Sequence, residues 1–245
     1  MTDAPEPRRG GSELRETIRS FGLELGFTRV GFAAAAEPPG TRERILEWLA
    51  RGHHASMAWM ERDPSRRWEP ERILPGAKSV IVVSMIYRTD APVPVRPGLP
   101  RISRYAHGRD YHEVLGERLH ALTAELERLA PGTRTRVACD TSPIADKAFA
   151  REGGIGWIGK NSCLIHPEDG SFTFLGEVSR PRPSSDPAIR DHCGSCTRCL
   201  DACPTDAASG AVRRREPLHR LLEHRASRRV RAGLGGADRG LAGRL

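Results

Sequence analysis

Long apolar runs are missing from this chain. No stretch of its 245 residues is long enough to cross a bilayer, and Met1 to Gly11 is polar, Pro- and Gly-rich, and lacks the apolar core of a secretory signal. Neither membrane insertion nor export is expected, and the cytoplasm is the default compartment. Cysteine is scarce as well: six in 245 residues cannot staple a disulfide scaffold. No internal repeat is present. The segment 213–245 contains no lysine and no cysteine, yet it holds ten arginines against Glu216, Glu223 and Asp238, so seven of the eight net positive charges lie there. The 212 residues before it carry a net charge of one. Basicity therefore describes the tail and gives no reason to read the body as a nucleic-acid binder.

Four of the six cysteines are concentrated in Cys193-Gly-Ser-Cys196-Thr-Arg-Cys199-Leu-Asp-Ala-Cys203-Pro204. The spacing of two, two and three residues, with a proline after the last, is that of bacterial ferredoxins. Short spacers let successive thiolates face one cubane, and the fourth cysteine of such a run ligates a second cluster. Cys193, Cys196 and Cys199 are assigned to one 4Fe-4S cluster and Cys203 to another. A zinc site is a poorer fit, because it usually uses two separated pairs. Cys139 and Cys163 fall inside expected strands and read as small buried hydrophobes.

The remainder alternates helix and strand. Ser12 caps a helix with Leu14, Ile18, Phe21 and Leu25 on one face, ended by Gly26, and a strand follows over 28–33. Residues 41–50 make a second amphipathic helix ended by Gly52, and the His53-His54 pair after it reads as loop. Ser79 to Tyr87 is a β-branched, nearly continuous apolar run, hence a buried strand. A proline-rich connector over 89–100 leads to the longest helix, 110–130, with Leu115, Leu119, Leu122, Leu126 and Leu129 in one seam. After a short strand at 135–139, Ser142 with Pro143 is expected to start a helix reaching Glu152. The segments 162–166 and 172–178, joined by Pro167-Glu-Asp-Gly170, read as a hairpin. The fold class is α+β, with a small cluster-binding domain from about residue 186.

Gly154-Ile-Gly156-Trp-Ile-Gly159-Lys160-Asn161 approaches a phosphate-binding loop but has Asn161 in place of Ser/Thr and follows a helix instead of a strand. ATP binding is not expected. Its glycines indicate backbone lying against something flat or bulky, or a tight turn that packs Trp157 into the core. Asp140 stands between a strand and a capped helix, where it is either a functional carboxylate or a cap. Tyr105, His107, Tyr111 and His112, around Arg104 and Arg109, either line a pocket or cap the long helix.

From Ser12 to Ala207 the chain resembles the epoxyqueuosine reductase family. The likeness is carried by Leu74-Pro-Gly-Ala-Lys-Ser-Val80, Gly108-Arg-Asp-Tyr-His112, Asp140-Thr-Ser-Pro143, the glycine-rich turn and the cysteine run. The resemblance implies a cobalamin-binding catalytic domain over 12–185, joined to a ferredoxin-like domain that begins at 186–207 and holds two 4Fe-4S clusters. It implies reduction of epoxyqueuosine to queuosine at the wobble position of tRNA, with electrons from an external donor, and a monomer that does not touch membranes. Asp140 matches the family's proton donor, and that role needs a carboxyl kept protonated by its surroundings. Ser103, Asp140, Gly159, Lys160 and Asn161 match positions that line the cobalamin.

Past Ala207 the resemblance stops, although two clusters need eight ligands and the run supplies four. Read one base later, starting at Leu218, permitted codons spell C-I-A-Y-W-S-I-E-H-R-G and, from Ala237, L-I-G-D-W-L-G-G-C. Both look like the family's second-cluster segment, with cysteines at 218 and 245. A one-base insertion or deletion between about 206 and 212 is expected, and the tail over 208–245, like residues 1–11, is expected to be disordered. The competing readings are a divergent basic tail on tRNA phosphates, another corrinoid iron–sulfur reductase such as a reductive dehalogenase, and a non-catalytic electron carrier or tRNA-binding remnant.

Overall fold

In the computed structural model, the described residues are 11–89, 102–203. The expected disordered N-terminus, the proline-rich connector and the arginine-rich tail lie almost wholly outside them.

A four-stranded antiparallel sheet organises the described chain, in the order β1-β2-β4-β3. Its strands are β1 (Arg29–Ala34), β2 (Ser79–Ile86), β3 (Arg136–Ala138) and β4 (Thr173–Arg180). The apolar run places β2 in the interior of the sheet, where both of its faces are covered: Ile81 and Val83 enter one core, Val80 and Val82 the other. On the first face lie α1 (Gly11–Glu24) and α3 (Tyr111–Leu129), with α2 (Thr41–Ala50) between β1 and β2 in the chain. The leucine seam of α3 is fully buried at Leu115, Leu119, Leu122 and Leu126, against Val30, Phe32, Ile81 and Val178. Burying one such side chain contributes about 1.5–3 kcal/mol, so this seam fixes the first core. Asp110 caps α3, its carboxylate accepting the His112 amide at 2.9 Å.

The second face is covered by α4 (Asp146–Glu152), whose Phe149 and Ala150 are buried against Ala33, Val80 and Val82. This helix starts later than its sequence implies. Ser142 and Pro143 sit in bends, and the Ala145 amide donates to the Arg67 carbonyl at 2.9 Å before the first turn forms. That bond and the burial of Ile144 delay the helix by several residues. The expected hairpin is also corrected. Residues 167–170 do turn the chain, and His166 bridges to Gly170. However, Leu164–Ile165 pairs with Trp157–Ile158 in a separate two-stranded sheet, while β4 pairs with β2 and β3. For β4 distant strands outcompete the local pairing, and for Leu164–Ile165 the segment just before it does.

Gly31, in the middle of β1, lets α4 approach the sheet. A Cβ there would lie 2.0 Å from the Gly153 carbonyl oxygen and 3.0 Å from Ile155 Cδ1. Backbone cannot step aside as a flexible side chain can. Gly31→Ala is expected to cost about 3 kcal/mol or more, read as a loss of soluble protein or a large drop in the urea midpoint.

Candidate functional site

Asp140 follows β3 with φ at +52°, a left-handed conformation that few side chains adopt. It caps no helix. Its Oδ2 accepts from the Tyr111 hydroxyl at 3.1 Å and lies 3.3 Å from His112 Nε2. The other ring nitrogen of His112 is 2.8 Å from Asp110 Oδ1. The first turn of α3 thus presents two donors to one carboxylate oxygen. Tyr111 stacks on Phe174 of β4, with centroids 4.2 Å apart and planes at 3°, which fixes the phenol. Partial burial, with Asp140 beside it, pushes the Tyr111 phenol well above the usual tyrosine range, so it donates without ionising. Burial works against a charge on His112, but its hydrogen bonds to Asp110 and Asp140 outweigh that, and it holds its proton above the usual histidine value.

Below this site lies Glu177 of β4, 1% exposed, with neither carboxylate oxygen hydrogen-bonded among the described residues. Burial, reinforced by Asp146 and Asp140, raises its pKa well above the ordinary carboxyl value. Asp146 is likewise pushed up, chiefly by burial. Cys139 is half-buried against the first core, its thiol raised to about 12, first by burial. That supports its reading as a small hydrophobe.

The glycine-rich turn packs against the protein itself. Cβ atoms at Gly154 and Gly156 would lie 2.7 Å from the Pro187 oxygen and 2.4 Å from the Ile165 oxygen. A Cβ at Gly159 would lie 2.6 Å from Ile165 Cδ1. Trp157 is buried, as the tight-turn reading anticipates, and its indole N–H donates to Cys193 Sγ at 3.4 Å. Lys160 Nζ donates to the carbonyls of Gly194 and Cys196 at 2.7 and 3.0 Å. Asn161 Oδ1 accepts the Cys163 amide at 3.0 Å. Lys160 and Asn161 therefore shape the turn and grip the cysteine loop. Ser103 flanks the short 3-10 turn Arg104–Ala106, well exposed. Cys193 and Cys199 are partly buried, Cys196 is exposed, and Cys203 closes the run after the single turn Arg198–Asp201.

Three thiols at this spacing, one of them already receiving an N–H, fit three corners of an iron–sulfur cluster. A corrin presents amide side chains, and Arg67, whose carbonyl accepts the Ala145 amide just past the Asp140 loop, keeps its Nε buried without a hydrogen-bond partner. That donor fits such a group. One further cluster, His166, Glu168 and Asp169, has its ligand atoms within 4.8 Å of one another. Arg29 pairs with both of its carboxylates, and His166 Nδ1 accepts the amides of residues 168 and 169. It is a clasp closing the turn.

Sequence reasoning singled out Asp140, Lys160 and the cysteines. It missed the Tyr111–Asp140 contact, the Trp157–Cys193 contact and buried Glu177. Each joins segments far apart in the chain, and only the charged residue inside the apolar β4 pattern offered a hint.

Residues 67–141 match the family described as "Epoxyqueuosine reductase QueG, DUF1730". The epoxyqueuosine reductase of Gloeobacter violaceus is 48% identical over 193 residues, 78% of this chain and 59% of that protein. That of a Synechococcus species is 44% identical over 203 residues, 80% of this chain and 61% of that protein. An epoxyqueuosine reductase solved with an epoxyqueuosine-modified tRNA-Tyr stem loop superposes with a TM-score of 0.76 at 32% identity, covering 84% of this chain and 56% of that one. The Bacillus subtilis enzyme, with its catalytic loop swung out of the active site, gives 0.75 at 31% identity over the same shares. The chain spans about three-fifths of the length of the curated relatives it matches, and over that span it is similar to the epoxyqueuosine reductases.

Proposed function

We propose that this chain, in its undisturbed reading frame, reduces epoxyqueuosine to queuosine in tRNA, with cobalamin and two 4Fe-4S clusters. The observation that carries the reading is the join between the glycine-rich turn and the cysteine run. Trp157 and Lys160 hold the loop bearing Cys193 and Cys196 against the body that carries Asp140. An electron-supplying group and a proton-supplying group thereby share one scaffold. When bound, the corrin supplies a strongly reducing metal centre fed one electron at a time through the clusters.

The rest is work for the chain's own side chains. Opening an epoxide leaves oxygen as an alkoxide, a poor leaving group, and Asp140 protonates it as a general acid. Tyr111 and His112 hold the carboxyl in place by bonding one of its oxygens. Ser103, Gly159, Lys160 and Asn161 bound the corrin site, and Arg67 offers it an unpartnered Nε. Catalytic residues fall within 12–185 and the cluster domain begins at 186. The natural partner is tRNA carrying epoxyqueuosine, with an external one-electron donor, for a monomer in the cytoplasm. Among the described residues no helix is long and apolar enough to cross a membrane.

The arginine-rich tail lies outside the described residues and lacks the missing cysteine ligands. Activity is assigned to the frame that restores cysteines at 218 and 245. The test is nucleoside analysis of tRNA from a strain deleted for the gene. It is expected to accumulate epoxyqueuosine and to regain queuosine when the reframed gene is supplied. Queuosine persisting in the deletion strain, or epoxyqueuosine unchanged after complementation, overturns the proposal. Sequencing the gene on independent reads tests the frame itself.

A further inference from the structure

We propose that His112, backed by Asp110, recharges Asp140 with a proton from solvent. The inference rests on the reading of Asp140 as proton donor and deepens it. Converting an epoxide to an alkene breaks two C–O bonds and forms one C=C π bond. It takes up two electrons, here from the one-electron reductant that feeds the clusters, and two protons, and the oxygen leaves as water. A single carboxyl carries one proton, so turnover requires a second one at the same place.

The geometry supplies it. His112 Nε2 lies 3.3 Å from Asp140 Oδ2 and Nδ1 lies 2.8 Å from Asp110 Oδ1, so a protonated ring bridges the two carboxylates. After Asp140 gives up its proton, His112 passes the Nε2 proton to Oδ2 and keeps its Nδ1 proton on Asp110. The ring, 37% exposed, then takes a proton from water, beside an Asp110 side chain that is 59% exposed. Tyr111 touches the same Oδ2 but keeps its phenolic proton, so it orients the acceptor and does not feed it. The Cys139 thiol stays neutral, and Arg109 is drawn off by Glu117 at 2.7 Å. Asp110 and Asp140 are therefore the charges that face the ring. His112 acts through Asp140 and is a positioning residue of the proton path.

The first test uses the full chain without cofactor: an NMR titration of the His112 imidazole. Asp140→Asn and Asp110→Asn are each expected to lower its midpoint by about 0.5–1 pH unit. A midpoint unmoved by Asp140→Asn overturns the relay. The second follows turnover against pH in the reframed enzyme. His112→Gln is expected to lose about tenfold or more, increasingly toward high pH, and free imidazole is expected to restore part of the loss in His112→Ala. Parent-like turnover in both variants overturns the relay while leaving Asp140 as donor. Parent-like turnover in Asp140→Asn overturns both readings.

Discussion

Under the proposed function, Asp140→Asn in the reframed enzyme is expected to fold as the parent does and to lose about a hundredfold or more in epoxyqueuosine turnover. Two features make the variant clean. Asparagine tolerates the left-handed backbone at φ +52° as readily as aspartate, so the turn after β3 keeps its shape. The Tyr111 hydroxyl can still donate to the amide oxygen in place of Oδ2. What the amide lacks is a transferable proton at neutral pH. The leaving oxygen would then depart unprotonated or take its proton from water, and general-acid assistance is typically worth 10²–10⁴-fold. Nucleoside analysis of tRNA incubated with parent and variant measures the loss, and an absorption spectrum of bound cobalamin checks that the site still forms. Turnover within a few-fold of the parent, with cofactor bound, removes Asp140 from the acid's role.

Glu177→Gln is expected to stabilise the protein at alkaline pH, by an amount that grows with pH. Glu177 is buried in the second core without a hydrogen-bond partner among the described residues, and burial raises its folded pKa well above 4.5. Above the ordinary carboxyl value the unfolded chain releases this proton while the folded chain keeps it. The folded state therefore binds more protons, and stability falls as pH rises until the folded midpoint is passed. The slope reaches about 1.4 kcal/mol per pH unit within that window. Glutamine has nothing to release. Urea midpoints at pH 5, 6, 7 and 8 should separate in favour of Gln up to the folded midpoint and level off above it, and a constant gap from pH 5 would mean that Glu177 is ionised and paired in the fold.

The parts of the fold legible in the sequence are those set by local periodicity. The β-branched run of β2, the leucine seam of α3 and the glycine stop after α1 reappear within a residue or two. Failures occur where a distant segment decides. Ser142-Pro143 carries the signals of a helix start, yet the Arg67 carbonyl captures the Ala145 amide and moves the start. Pro167 to Gly170 carries the signals of a hairpin turn. The strand after it nevertheless pairs with β2 and β3, whose partnership no local pattern encodes. The site divides the same way. Asp140 and the cysteines stand out by residue type and spacing. The Tyr111 hydroxyl reaching a carboxylate 29 residues on, and an indole reaching a sulfur 36 residues on, arise only once the chain has closed.

Trp157 and Lys160 are synthesised well ahead of the cysteine loop they hold, 36 residues before Cys193 and 34 before Gly194. The seat for the sulfur loop therefore precedes its occupant along the chain. An N–H aimed at a sulfur also draws negative charge from it, which eases the uptake of an electron by a metal centre bound there. The packing of one tryptophan in the sheet-bearing body thus sets part of the electrical character of its neighbour.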